Sequence, residues 1–172
     1  SLPDALPMWE IQRAIAAGGN PKKGVFAGVG KTADEIAFAL RKGIYCFNVE
    51  SEAELERINR IAGKLKKTAP IAIRVNPNVD AKTHKKITTG TYENKFGIAI
   101  EKIPALYARA AKLTHIRLRG VQMHIGSQLT QVKPLAAAVR NIAPPAAKLK
   151  SNPVIAFLSI RGAPGLLYSD PP

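Results

Sequence analysis

Short apolar runs alternate with amphipathic stretches along most of this chain. Residues 25–29 form an apolar run that ends at Gly30 and predicts a first strand. It hands over to Thr32-Ala33-Asp34-Glu35, the spacing of a capping box, in which the Thr32 hydroxyl accepts from the Glu35 amide and the Glu35 carboxylate accepts in return. Ile36, Ala39 and Leu40 then recur at helical spacing, and Gly43 predicts the stop. Residues 44–49 predict a second strand. Ser51-Glu52-Ala53-Glu54 repeats the capping-box spacing and opens a second helix with Leu55, Ile58, Ala62 and Leu65 on one face.

The alternation continues. Residues 71–76 predict a third strand, stopped by Pro77. The polar stretch 78–97 is too long for a simple connector, which marks it as functional. Residues 101–112 predict a helix and 118–125 a fourth strand. A helix follows over about 135–150, which Pro144-Pro145 should break or kink. Residues 154–160 predict the fifth strand, followed by Gly162 and Gly165. Strands that alternate with helices are joined as parallel neighbours, and apolar runs without clean alternation suit strands covered on both faces. The fold class is therefore α/β, either a doubly wound sheet or a (β/α)8 barrel. A complete barrel needs about 250 residues and eight units, so five units predict a partial TIM-type barrel.

Composition narrows the function classes. Of the 172 residues, 46% are hydrophobic, which argues against a disordered chain. No apolar run approaches the roughly 18 residues of a membrane span, and Ser1-Leu2-Pro3-Asp4 has no basic-then-apolar leader pattern. The single cysteine, Cys46, excludes an intramolecular disulfide framework and a multi-cysteine zinc site. These features predict a cytoplasmic protein with no membrane partner. Lys+Arg number 26 against 12 Asp+Glu, a net +14. The lysines are scattered and no basic run interleaves with aromatics, so a nucleic-acid partner is disfavoured. An anionic substrate or cofactor, or acidic segments outside this sequence, accounts for the charge as well.

Polar residues gather just after the predicted strands, where α/β proteins bind ligands. Gly28-Val29-Gly30-Lys31-Thr32 resembles the tail of a phosphate loop, but the full G-x-x-x-x-G-K-[ST] spacing is missing, so it reads as a strand-to-helix turn. His124-Ile125-Gly126-Ser127-Gln128 is more suggestive. An imidazole at a strand end can lie against an aromatic ring, and a serine beside a glycine can offer a hydroxyl and an amide to a phosphate. A lone strand-end histidine is, judged alone, more often structural. Lys95 fits an ion pair or a solvated loop, and Cys46 reads as an inert core thiol.

Five segments then combine: Phe26-Ala27-Gly28-Val29-Gly30-Lys31-Thr32, Phe47-Asn48-Val49-Glu50-Ser51-Glu52, Arg74-Val75-Asn76-Pro77, Glu93-Asn94-Lys95-Phe96-Gly97-Ile98 and His124-Ile125-Gly126-Ser127-Gln128. In this order they resemble the diaminopimelate decarboxylases, a branch of the alanine-racemase-like (fold III) pyridoxal-phosphate enzymes. The resemblance runs from about Ile11 to Lys133 and more weakly onward. It implies a barrel that binds pyridoxal 5'-phosphate, an amino-acid substrate that loses its α-carboxylate, and a homodimer when full length. It further implies that His124 stacks on the pyridine ring and Ser127 helps hold the phosphate. Arg74 and Asn76 would end a strand beneath the cofactor, and Gly162 and Gly165 would be what remains of a glycine-rich phosphate loop.

Departures from the family pattern matter as well. No Schiff-base lysine matches upstream of Ile11, so no catalytic residue is assigned within this chain. Met8-Trp9 stand where the family has glycines before Glu10, and Arg161, Ala163 and Pro164 interrupt the phosphate loop. Residues 1–172 are thus read as part of a barrel domain, without the C-terminal β domain, and not competent to decarboxylate alone. Two other readings stay open: a fold III decarboxylase of the ornithine or arginine type, and a non-catalytic relative of the same fold.

Overall fold

The computed structural model describes residues 7–76, 97–129, 136–137, 139–141 and 157–164, with 7–8, 124–129 and 157–164 described by their backbone. Six strands form one sheet: β1 (Val25–Phe26), β2 (Cys46–Val49), β3 (Ala69–Asn76), β4 (Ile98–Ala99), β5 (Ile116–Leu129) and β6 (Phe157–Pro164). Their order is β1-β2-β3-β5-β6, with the two-residue β4 beside β3. Every pairing is parallel. Helices α1 (Pro7–Ala16), α2 (Ala33–Lys42), α3 (Glu52–Lys64) and α4 (Ile103–Ala110), with 3-10 turns at Pro21–Lys23 and Ile100–Lys102, accompany them.

The helix starts follow from their caps. Thr32 Oγ1 accepts from the Glu35 amide at 3.3 Å, and the Glu35 carboxylate accepts from the Thr32 amide at 2.7 Å, closing the expected box. Gly43 ends α2 at φ 68°, the left-handed conformation that costs a residue without Cβ least. Ser51 caps α3 by accepting from the Glu54 amide, but the second half of the expected box is missing. The Glu54 carboxylate turns away from Ser51 and accepts from the Glu50 amide and Lys31 instead.

One face of the sheet packs against the helices. Phe47, Val49, Ile71, Ile73, Val75, Val121 and Met123 join Ile36, Ala39 and Leu40 of α2 and Leu55, Ile58 and Ala62 of α3 in one buried core. Burying each of the larger of these side chains stabilises by about 1.5–3 kcal/mol. Because strand side chains alternate, Asn48, Ala72, Arg74 and Gln122 belong to the other face, and the register pairs Asn48 with Ala72 and Arg74 with Gln122. Between Ile71 and Ala72 the β3–β5 register slips: Ile71 faces Leu118 and Ala72 faces Gly120, leaving Arg119 as one extra residue in β5.

The elements differ from expectation mainly at their ends. β1 stops at Phe26 because Gly28 and Gly30 take φ 116° and 73°, which leave the strand conformation. β5 runs from 116 to 129, longer than 118–125, and its length offers partners that carry β6 past residue 160 through Gly162 to Pro164. Helix α1 and strand β4 were not expected. α4 is shorter than 101–112, because a 3-10 turn occupies Ile100–Lys102. The polar stretch 77–96 and Pro144-Pro145 lie outside the described residues. No helix among the described residues is long and apolar enough to cross a membrane.

Candidate functional site

The C-terminal ends of β1, β2 and β3 converge, and charged side chains from the following turns meet between them. Arg74, two residues before the end of β3, gives Nη1 to Glu50 Oε2 at 2.8 Å. Glu50, one residue past β2, accepts from the Gly28 amide at 3.0 Å with its other oxygen. Its own amide donates to Glu54 Oε2 at 2.7 Å. Glu54 Oε1 receives Lys31 Nζ at 2.7 Å, and the same ammonium donates to the Gly28 carbonyl at 2.6 Å and the Asn48 carbonyl at 2.8 Å. Two cations and two carboxylates balance in this group. Both ion pairs are largely withdrawn from water, with side chains 0% and 8% exposed for Lys31 and Glu54 and 15% and 4% for Arg74 and Glu50.

This arrangement decides how the Gly28-to-Thr32 segment works. A phosphate-loop lysine points out toward its ligand, whereas Lys31 is turned into the core with three acceptors for its three protons. An amine held this way has no lone pair to offer a carbonyl. Reading the segment as a strand-to-helix turn therefore holds, and the turn is clasped rather than open. The buried lysine itself had no sequence signal.

Asn76 ends β3 and pairs with Ala99 of β4. Gly97 supports that end: a Cβ there would lie 3.1 Å from the Arg74 carbonyl oxygen and the Asn76 nitrogen, at φ +87°. His124 and Ser127 lie in β5, in register with Arg161 and Ala163 of β6, with Gly162 between the latter two. Since Gln122 is level with Arg74, the backbone brings positions 74, 76, 124, 127 and 162 to neighbouring strands. Gly165 and Lys95 lie outside the described residues. Cys46 is buried with its thiol pushed up to about 12 by loss of solvation, as an inert core thiol should be.

The sheet face that carries Arg74 also holds unspent hydrogen-bonding capacity. Asn48 Nδ2 and Oδ1 and Gln122 Oε1 are buried without a partner. A guanidinium beside amide donors and acceptors suits an anionic ligand with ring heteroatoms, so these residues fit a pyridoxal phosphate. Among the described residues, no three His, Cys, Asp or Glu side chains gather as a metal site would require. A separate cavity of about 360 Å³ lies at the opposite, strand-starting end, where Lys22, Lys67, Arg117 and Arg119 line it and collect part of the excess positive charge.

Residues 4–160 match the family described as pyridoxal-dependent decarboxylase, pyridoxal binding domain, and the chain belongs to that family. Within it, the chain is 49% identical over 168 residues to a diaminopimelate decarboxylase of Pseudomonas aeruginosa and 45% identical to one of Vibrio cholerae, covering 97% of this chain in both cases. The chain spans about 40% of the length of these curated relatives. Among solved structures it resembles diaminopimelate decarboxylase from Helicobacter pylori complexed with L-lysine, with a TM-score of 0.83 and 40% identity over 96% of this chain and 42% of that one. A lysine/ornithine decarboxylase from Vibrio vulnificus complexed with putrescine shares the fold, at a TM-score of 0.73 and 20% identity.

Proposed function

We propose that this chain forms part of the cofactor barrel of an enzyme that decarboxylates meso-2,6-diaminopimelate to L-lysine with pyridoxal 5'-phosphate, in lysine biosynthesis. The observation that carries the reading is the match to a lysine-complexed diaminopimelate decarboxylase at 40% identity across 96% of the chain. The ornithine and arginine type relatives align at only 20–24% identity, which supports the fold they share and no more. Residues 1–172 are read as one stretch of barrel, with a C-terminal β domain, homodimer formation and a cytoplasmic setting carried over from the resemblance.

When bound, the cofactor supplies an electron sink for the carbanion left by the departing carboxylate. The chain's own residues bind and orient it. His124 is assigned to the face of the ring and Ser127, Gly162 and Gly165 to the phosphate. Arg74 and Asn76 are assigned beneath the ring, with the buried Asn48 amide and Gln122 Oε1 available on the same sheet face. No imine-forming lysine is assigned within this chain: none matches the family's position upstream of Ile11, and Lys31 is committed to three acceptors. The test is to purify the longest polypeptide that contains this sequence, load it with cofactor and follow CO2 and L-lysine from meso-diaminopimelate, with ornithine and arginine as competitors. Release from diaminopimelate alone is expected. Bound cofactor with no CO2 from that substrate would remove the substrate assignment.

A further inference from the structure

We infer that Glu50 is a positioning residue for Arg74, and that the Lys31–Glu54 pair exists to hold Glu50 in place; the inference rests on the pyridoxal-phosphate reading above. The hydrogen bonds close a ring. Gly28 gives its amide to Glu50, Glu50 gives its amide to Glu54, Lys31 joins Glu54, and Lys31 returns to the Gly28 carbonyl. Every link is between 2.6 and 3.0 Å. Glu50 is thereby fixed at both its backbone and one carboxylate oxygen, and the other oxygen faces Arg74.

A guanidinium is a planar fork on a long flexible stem, so one fixed charge-assisted bond restricts where its plane lies. Arg74 sits on the sheet face with the unpartnered Asn48 amide and Gln122 Oε1, where the ligand is assigned. Nothing in a purely stabilising clasp would require its outermost carboxylate oxygen to end on that arginine. Glu50 is only 4% exposed, so this oxygen needs a cation in any case, and it could have drawn one from another element. Instead the oxygen ends on the arginine assigned to the cofactor, so the turn after β1 and the turn after β2 act together on a side chain of β3.

The experiment uses the full-length enzyme and measures the Kd for pyridoxal 5'-phosphate by equilibrium dialysis, with the visible absorbance maximum of the bound cofactor as a second readout. Glu50→Gln keeps the shape and the Gly28 contact but removes the charge facing Arg74. It is expected to raise the Kd roughly tenfold or more, the scale of one charge-assisted hydrogen bond, and to shift the absorbance. Glu50→Asp keeps the charge and is expected to recover part of both, and it stands in should Glu50→Gln not fold. In an Arg74→Met background the Glu50 changes are expected to have no further effect, because their route to the cofactor is gone. Unchanged affinity and absorbance in both Glu50 variants, or a loss that multiplies with that of Arg74→Met, would overturn the inference while leaving the cofactor reading intact. A parent enzyme that binds no pyridoxal phosphate would overturn both.

Discussion

Removing the ammonium of Lys31 isolates the energetic weight of the ring. In Lys31→Met the aliphatic stem survives, and with it much of the packing beside the Phe26 ring, which the ammonium now approaches to 5.5 Å. What disappears is the charge and three hydrogen bonds of 2.6–2.8 Å. Glu54, only 8% exposed, then keeps a buried carboxyl group without its cation, with the Glu50 amide as its remaining partner. Breaking one half of a buried pair costs about 3–5 kcal/mol, and the two carbonyls that lose a donor belong to the same rupture. Against a typical total of about 5–15 kcal/mol, that is a large share of the stability. Lys31→Met/Glu54→Gln removes the stranded charge and leaves a side-chain oxygen for the Glu50 amide, so its cost is expected to fall to about 1–2 kcal/mol. Urea unfolding followed by circular dichroism measures both, with equal m-values as the check that the same surface unfolds. A single variant that loses less than about 1 kcal/mol, or a double variant as damaged as the single, would mean that Lys31 is not the charge partner on which Glu54 depends.

Two further predictions concern backbone and pH. Gly97→Ala forces a Cβ to φ +87° and within 3.1–3.2 Å of three β3 backbone atoms that no side-chain rotation can move. A loss of at least about 1–3 kcal/mol in urea unfolding is expected, and a change inside about 0.5 kcal/mol would show that the β4 turn shifts freely. Burial raises the Cys46 thiol from its ordinary 9.0 to about 12, so the folded state holds this proton more tightly than the unfolded one. Its contribution is fully present below pH 9 and is lost as pH rises toward about 12, at about 1.4 kcal/mol per pH unit. Cys46→Ala should flatten that part of the alkaline stability profile; an identical slope in the variant would assign the loss to other groups.

The parts of the fold that were legible in the sequence are those governed by short-range rules. Thr32 and Glu35 announced α2 because a capping box needs only residues three apart, and Gly43 its end because a left-handed stop has a single strong preference. The apolar runs announced five of the six parallel strands by position, though not their ends, since a strand's length depends on what its neighbour offers. β4 has two residues, too few for any periodicity. α1 carried a readable signal, a proline at its start with Glu10 in the first turn, that went unused. Glu54 shows the limit most clearly. Its spacing from Ser51 predicted a capping box, yet a lysine 23 residues earlier competes for the same carboxylate. Only the folded chain brings the two together. The same holds for Glu50, which no motif separated from other acidic residues and which only Arg74, from another strand, marks as part of the site.

The extra residue at Arg119 makes β5 sensitive to length in a way that no substitution would reveal. Upstream of it Leu118 lies on the helix-facing side, and downstream Val121 and Met123 return to that side only because Arg119 resets the alternation. Deleting this one residue would close the bulge: Leu118, Gly120 and Val121 would then alternate plainly, Val121 and Met123 would keep the helix-facing side, and only the local bend would be lost. Losing Arg119 and Gly120 together would instead put the rest of the strand one step out of phase, sending Gln122 into the apolar core and Val121 and Met123 to the other face. Along this stretch the chain behaves like a reading frame with one letter to spare: a single loss is absorbed at the bulge, and a second scrambles everything after it.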